Sequence, residues 1–163
     1  MAMDMRPKER NNKKMIQPER QDTYKSRGKI QEPAVCSGCG AVFLDGRWSW
    51  AAAPKGANKA TCAACQRVAD RFPAGRIEIG GDFFNEHREE ILRLVRNVEA
   101  VEKKERPLER IMAITDDGAQ TVVTTTGIHV ARRIGESLSR SYQGEFGFKY
   151  GDGEDSIRVT WSR

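Results

Sequence analysis

The chain has no long hydrophobic run. Among its 163 residues no uncharged stretch approaches the roughly 18–20 residues that a membrane span needs, and no secretory hydrophobic region is present. Membrane-spanning and secreted classes are set aside on that ground, and a soluble, cytoplasmic protein is the expectation. Catalytic signatures are missing as well. There is no Gly-Lys-Ser/Thr loop to cradle phosphate and no Gly-x-Ser-x-Gly elbow, and Gly80-Gly81 and Gly151-Asp152-Gly153 read as turns. Histidine is scarce, and the two present, His87 and His129, read as ordinary surface or packing residues. An enzyme is the least expected class, and no small-molecule substrate is expected.

Cysteine is equally sparse, but its placement is informative. All four cysteines fall in two Cys-x-x-Cys pairs, Cys36/Cys39 and Cys62/Cys65, and none is left over for other work. Two such pairs present four thiolates from two tight turns, the arrangement that a tetrahedral Zn2+ requires. In Cys36-Ser37-Gly38-Cys39-Gly40 the glycines let the chain turn sharply beneath a metal and let backbone N–H groups approach the sulfurs. The second pair runs into residues that favour helix, which Pro73 stops, and a helix N-terminus favours thiolate charge. A knuckle followed by a pair that opens a helix suggests a treble-clef or zinc-ribbon-like module over residues 34–74. Redox dithiols and structural disulfides compete with this reading, and stable disulfides are rare inside cells. Four cysteines close the coordination shell, so a single structural zinc, without an open position for water or substrate, is the expectation.

The net charge of +5 is unevenly spread. Residues 1–33 carry nine Lys/Arg against five Asp/Glu, residues 34–74 five against two, and residues 75–163 fourteen against sixteen. The positive excess lies in the N-terminal half, where a polyanion would dock. Residues 1–33 lack apolar periodicity and read as a disordered basic arm, either a solvated tail or a segment that orders on nucleic acid. In it Tyr24 precedes the run Lys25-Ser26-Arg27-Gly28-Lys29. Between the cysteine pairs, Asp45-Gly46 is a hairpin-turn signal, and Trp48 and Trp50 alternate as on a strand. Both tryptophans cover the metal site as its miniature core, or one stays exposed beside Arg47 as a stacking platform for a base. Arg67 and Arg71, four residues apart, form a basic helix face suited to phosphate.

From residue 75 the pattern changes. Ile77 and Ile79 alternate on a short strand, and Asp82 is placed to cap one helix over residues 83–104, with Ile91, Leu94, Val95, Val98 and Val101 on one stripe. A hairpin follows over residues 108–125. Thr126 is placed to cap a helix over residues 127–143, with Gly144 at its end, and two further alternating segments carry Phe146, Phe148 and Tyr150, then Ile157, Val159 and Trp161. The order βαββαβ plus one strand predicts an α+β, ferredoxin-like domain over residues 75–163, with both helices on one sheet face and an extra C-terminal strand. Phe146-Gly147-Phe148 reads as core packing.

Several of these segments together resemble a known group. They are Cys36-x-x-Cys39-Gly40, Cys62-x-x-Cys65-Gln66-Arg67, Gly46-Arg47-Trp48 and Thr124-Thr125-Thr126-x-x-His129-x-Ala131-Arg132-Arg133-Ile134-Gly135. The chain is similar over residues 24–163 to short bacterial relatives of the ribosome-associated family named after nonsense-mediated decay, whose long eukaryotic members are export adaptors of the large ribosomal subunit. The resemblance implies zinc binding by Cys36, Cys39, Cys62 and Cys65, and contact with the large subunit, with an effect on ribosome or messenger stability as a weaker transfer. The long adaptors carry more cysteine pairs and leucine-rich export signals, so nuclear export is not implied.

The expected function is a zinc-stabilised, non-catalytic RNA-binding protein acting on the ribosome or ribosomal RNA. Phosphate contact is expected from Lys25, Arg27, Lys29, Arg67 and Arg71, with Arg47 beside them, and stacking from Trp48 or Tyr24. The alternatives are a small zinc-dependent DNA-binding regulator and a protein–protein adaptor. No helix-turn-helix and no helix with clustered Arg, Asn and Gln supports the former.

Overall fold

The computed structural model describes Tyr24, residues 30–153 and residues 155–163. Lys25, Arg27, Lys29 and most of the expected basic arm lie outside the described residues. The fold is α+β with two mixed sheets.

The first sheet holds four three-residue strands, β1 (Ala34–Cys36), β2 (Val42–Leu44), β3 (Arg47–Ser49) and β4 (Asn58–Ala60), in the order β3-β2-β1-β4. The β2–β3 turn has positive φ at both central residues, Asp45 (52°) and Gly46 (77°), the twist that a two-residue antiparallel hairpin needs. Glu32 accepts hydrogen bonds from both of their N–H groups, at 3.1 and 2.9 Å. After β4 comes α1 (Ala63–Asp70), whose C-cap, Arg71, is left-handed (φ 53°).

The second sheet is larger. It combines β5 (Gly75–Gly80), β6 (Ile111–Asp117), β7 (Gln120–Thr125), β8 (Glu145–Tyr150) and β9 (Ile157–Ser162) in the order β6-β7-β5-β9-β8. Helices α2 (Asp82–Glu86), α3 (Arg88–Glu105) and α4 (Ile128–Tyr142) supply Phe84, Ile91, Val95, Val130, Ile134 and Leu138 to a core shared with Ile77, Ile79, Val123, Val159 and Trp161. Strands and helices alternate along the chain as expected except that two helices stand in place of the first, and the strand order departs from a four-stranded ferredoxin-like sheet. β9 pairs in parallel with β5 and lies between β5 and β8, which moves β8 to the edge. Burial follows the exchange. Ile157, Val159 and Trp161 of β9 are all buried, whereas Phe146 and Tyr150 of β8 are only half-buried and Phe148 is exposed. Phe146-Gly147-Phe148 is therefore only in part a core segment.

Local signals were redirected by tertiary contacts. The helix expected over residues 83–104 is two helices, broken at His87, whose N–H is shared between the Phe83 and Phe84 carbonyls and whose ring stacks on Phe83 at 4.1 Å. Asp82 is the first residue of α2 and Gly81 is the N-cap. Thr126 does not cap α4. Its hydroxyl donates to the Leu108 carbonyl at 2.6 Å and accepts the Arg110 N–H at 2.9 Å, while the Val130 N–H of the first turn is taken by the Glu109 carboxylate at 2.9 Å. A distant carboxylate thus does the work of a cap.

Gly135 sets the spacing between α4 and the sheet, because a Cβ there would stand 2.5 Å from both Phe146 Cε2 and Val159 Cγ1. Alanine favours helix over glycine by about 1 kcal/mol, but overpacking of this size costs about 1–3 kcal/mol. Gly135→Ala is expected to destabilise the protein by about 1 kcal/mol or more on denaturant unfolding. On the sheet face away from the helices Glu78 sits 2.7 Å from Arg158 and 3.1 Å from Arg76, and these two, Arg158 foremost, hold its carboxyl below the ordinary value of 4.5 against its burial. A lowered carboxylate contributes stability above its unfolded value and loses it as pH falls through the folded one. Glu78→Gln is expected to lower the thermal midpoint near pH 7, and the gap from wild type to narrow below about pH 4.

Candidate metal centre

The four cysteines converge. Cys36 ends β1, Cys39 follows in the turn, Cys62 is the N-cap of α1 and Cys65 lies in its first turn. Their Sγ atoms all lie within 4.8 Å of one another, with Cys36–Cys65 at 3.7 Å and Cys39–Cys62 at 3.8 Å. A tetrahedron with metal–sulfur bonds of about 2.3 Å has edges of about 3.8 Å. All four thiols are free, so the donor set fits a single soft-ligand ion such as Zn2+ and leaves no coordination position over.

The backbone is shaped for this cluster. The Cys36 N–H donates to the Ala41 carbonyl at 2.7 Å, and Gly40 turns the chain at φ 80° to return its N–H to the Cys36 carbonyl at 2.9 Å. N–H groups also point at sulfur, from Cys62 to Cys36 Sγ at 3.3 Å and from Cys65 to Cys62 Sγ at 3.4 Å. Gly38 serves through its small size, since a Cβ there would come within 2.8 Å of Cys65 Sγ.

Sequence reasoning missed Arg110. It belongs to the segment before β6, yet its guanidinium donates to Cys62 Sγ at 3.2 Å and Cys65 Sγ at 3.4 Å. Its Nε is buried without a hydrogen-bond partner, so the sulfurs are what offset its desolvation. Burial disfavours its charge, but Cys65 first, then Cys62 and Cys39, hold it on the charged side. Leu108 packs on the same cluster. No cysteine motif signals either residue. The only local trace is an arginine next to a buried segment.

The thiols do not share one titration. Burial pushes the Cys62 thiol far up, and it raises Cys39 although the Ala41 N–H and Arg110 pull the other way. Burial acts on Cys36 too, but N–H donors from Cys62, Cys39 and Gly38 outweigh it and bring that thiol down to about 6. Without a cation, four thiolates in so small a volume repel one another. Two positive charges from a divalent ion, with Arg110 beside it, are what four ionised sulfurs need.

The other expected site residues are scattered. Trp48 is half-buried against the cysteine cluster, its ring 5.2 Å from Phe43, while Trp50 is the more exposed and donates its indole N–H to the Lys103 carbonyl at 2.7 Å. Arg47 and Arg71 are exposed. Arg67 is 5% exposed, so it does not share an open basic face with Arg71. Its guanidinium donates to the Phe72 carbonyl at 3.2 Å and lies over the Tyr24 ring at 4.3 Å. The helix turn explains this: α1 buries the Ala64 and Arg67 side and leaves Val68 outward. Tyr24 in turn stacks on Phe72 at 5.9 Å and donates to Asp70 at 3.0 Å, so its ring packs on the module.

Gly38→Ala is expected to lower the metal content of purified protein severalfold, and a cobalt-substituted sample to lose its thiolate-to-metal absorption. Because Cys62 and Cys39 must lose protons from raised values to ligate, bound metal is expected to be held at pH 8 and surrendered to a chelator progressively below about pH 6. Titration with a chromophoric chelator measures both. Comparison with family models, with curated proteins and with solved structures finds no match for this chain.

Proposed function

We propose that this is a zinc-stabilised, non-catalytic RNA-binding protein that works in the cytoplasm on the ribosome, with the large subunit as its preferred partner. On this reading residues 34–74 are a treble-clef-like zinc module and residues 75–163 a variant of the ferredoxin-like plan in which the added strand β9 is inserted beside β5. The observation that carries it is the closed four-sulfur cluster set in the positively charged half of the chain. A site with all four positions taken by thiolates builds structure and leaves none for a reacting water. What it builds is a small surface on which Arg47, Lys55, Lys59 and Arg71 are exposed, with Asp45 and Asp70 as the exposed acids. Arg67 moves from phosphate contact to support, holding Tyr24 from beneath. Contact with phosphate falls to Arg47, Arg71 and the basic arm, and stacking falls to the half-buried ring of Trp48, since the Tyr24 ring already packs against Arg67 and Phe72. The resemblance to the nonsense-mediated-decay family points the same way.

Tagged protein sedimented through a sucrose gradient is expected to travel with large subunits at about 50 mM salt and to leave them by about 200 mM, as phosphate-dominated binding does. Arg47→Glu with Arg71→Glu is expected to weaken that association about tenfold or more while metal content stays at one ion per chain. Persistent absence from ribosomal fractions at low salt would refute the ribosome assignment. Association insensitive to both salt and ribonuclease would favour a protein–protein adaptor.

A further inference from the structure

The two edges of the five-stranded sheet are unlike. β6 carries a register shift between Ile111 and Ala113 and ends on Asp116 and Asp117, features that discourage the addition of another strand. β8 has neither a shift nor a proline, and it stays in register with β9 from Glu145↔Ser162 to Tyr150↔Ile157. The Gly151 N–H donates to the Ser156 carbonyl at 2.9 Å, which fixes the alternation of the ladder. Gly151, Lys149, Gly147 and Glu145 direct their backbone groups toward β9, and Phe146, Phe148 and Tyr150 direct theirs outward. Among the described residues nothing pairs with this edge, which is therefore made of aromatic residues, and the Phe148 side chain is 42% exposed.

Two further observations concern this edge. Glu145 and Lys149 are exposed on the sheet face away from the helices, and neither has an ion-pair partner among the described residues. Gly147 lies between them with no need of its own to be glycine. Its φ is not in the left-handed region, and the nearest atom to an added Cβ is Thr160 Oγ1 at 3.4 Å. A mid-strand glycine weakens a strand and marks a place where another backbone comes close.

We propose that the chain forms a two-fold homodimer by antiparallel pairing of β8 with β8 of a second copy, centred on Gly147. In that register Glu145 of each copy stands opposite Lys149 of the other, and Phe146 opposite Phe148. The Phe146–Phe148 pairs are the ones whose backbone groups point outward, so they exchange four hydrogen bonds across the axis. Opposite charges and paired aromatics are the favourable cross-strand combinations. Neighbouring registers lose this match. Centring on Phe146 or Phe148 leaves both charges without an opposite, and centring on Lys149 sets lysine against lysine. The result is one sheet continuous through both copies, closed by its own symmetry.

Analytical ultracentrifugation over about 1–200 μM protein tests it. The mass is expected to rise from 18.3 kDa toward twice that value. Glu145→Lys is expected to raise the dissociation constant about tenfold, and Lys149→Glu likewise, because each puts like charges opposite at two symmetric positions. The double swap, Glu145→Lys with Lys149→Glu, restores both pairs and is expected to return the constant to within about threefold of wild type, which separates lost pairing from lost folding. Gly147→Cys treated with diamide is expected to give a covalent dimer linked through position 147 in both copies, read by peptide mapping. A monomer at every concentration would overturn the proposal and leave the edge to a strand of a different protein. A dimer indifferent to Glu145→Lys would overturn it too. Neither result bears on ribosome association, which the sucrose gradient reads separately.

Discussion

Four sulfurs held at tetrahedral spacing are the constraint on which the N-terminal half depends. The strands around them are three residues long and the buried cluster is small: Cys36, Ala41, Cys62 and Ala64, with Trp48 and Leu108 against it. Burial of so few apolar groups does not offset the ordering of some forty residues. Coordination of an ion by the four sulfurs would supply what packing lacks, and it would require thiolates at positions where burial favours thiols. The N–H groups aimed at Cys36 and Cys62, and the Arg110 guanidinium, reduce that conflict without removing it. A divalent ion would remove the rest.

Arg110 also ties the sheets to each other. Its guanidinium reaches two sulfurs, its N–H is held by Thr126, and its neighbour Glu109 caps α4. Two consecutive residues therefore connect the metal centre, the start of β6 and the first turn of α4. The Trp50 indole bonded to the end of α3, at the Lys103 carbonyl, is a second tie. A boundary near residue 74 describes the change in sequence pattern, but the side chains that finish the metal site come from beyond it.

What could be read from the residues alone follows a physical division. Cysteine spacing, the Asp45-Gly46 turn, the period-two strands and the apolar stripe of α4 are local, and the structure has elements where those signals lie. The long-range contacts are not legible. Arg67 reads as a surface cation because it stands four residues before Arg71 on a helix, yet it is buried under a ring distant in sequence. Thr126 had the right chemistry for a cap, but strand-end carbonyls claimed its hydroxyl first. The place of β9 depends on a contest between two strands that alternate alike, Phe146, Phe148 and Tyr150 against Ile157, Val159 and Trp161, so composition does not decide it.

That contest also shapes what each surface can do. With β9 inside, the face of the second sheet away from the helices presents Arg76, Glu78, Arg158, Thr160, Gly147 and Lys149, and none of the side chains the pairing registers place there is aromatic. Glu78 already engages both of the nearest arginines. A face without rings, whose cations are partly neutralised, is a poor platform for bases. The aromatics of β8 point to the helix side, where the Arg132 guanidinium covers Phe148 at 4.6 Å and donates to the Tyr150 hydroxyl at 3.0 Å. The proposed recognition of a polyanion therefore falls to the module that holds the four cysteines, and the outer strand of the larger sheet is left for the proposed contact between copies.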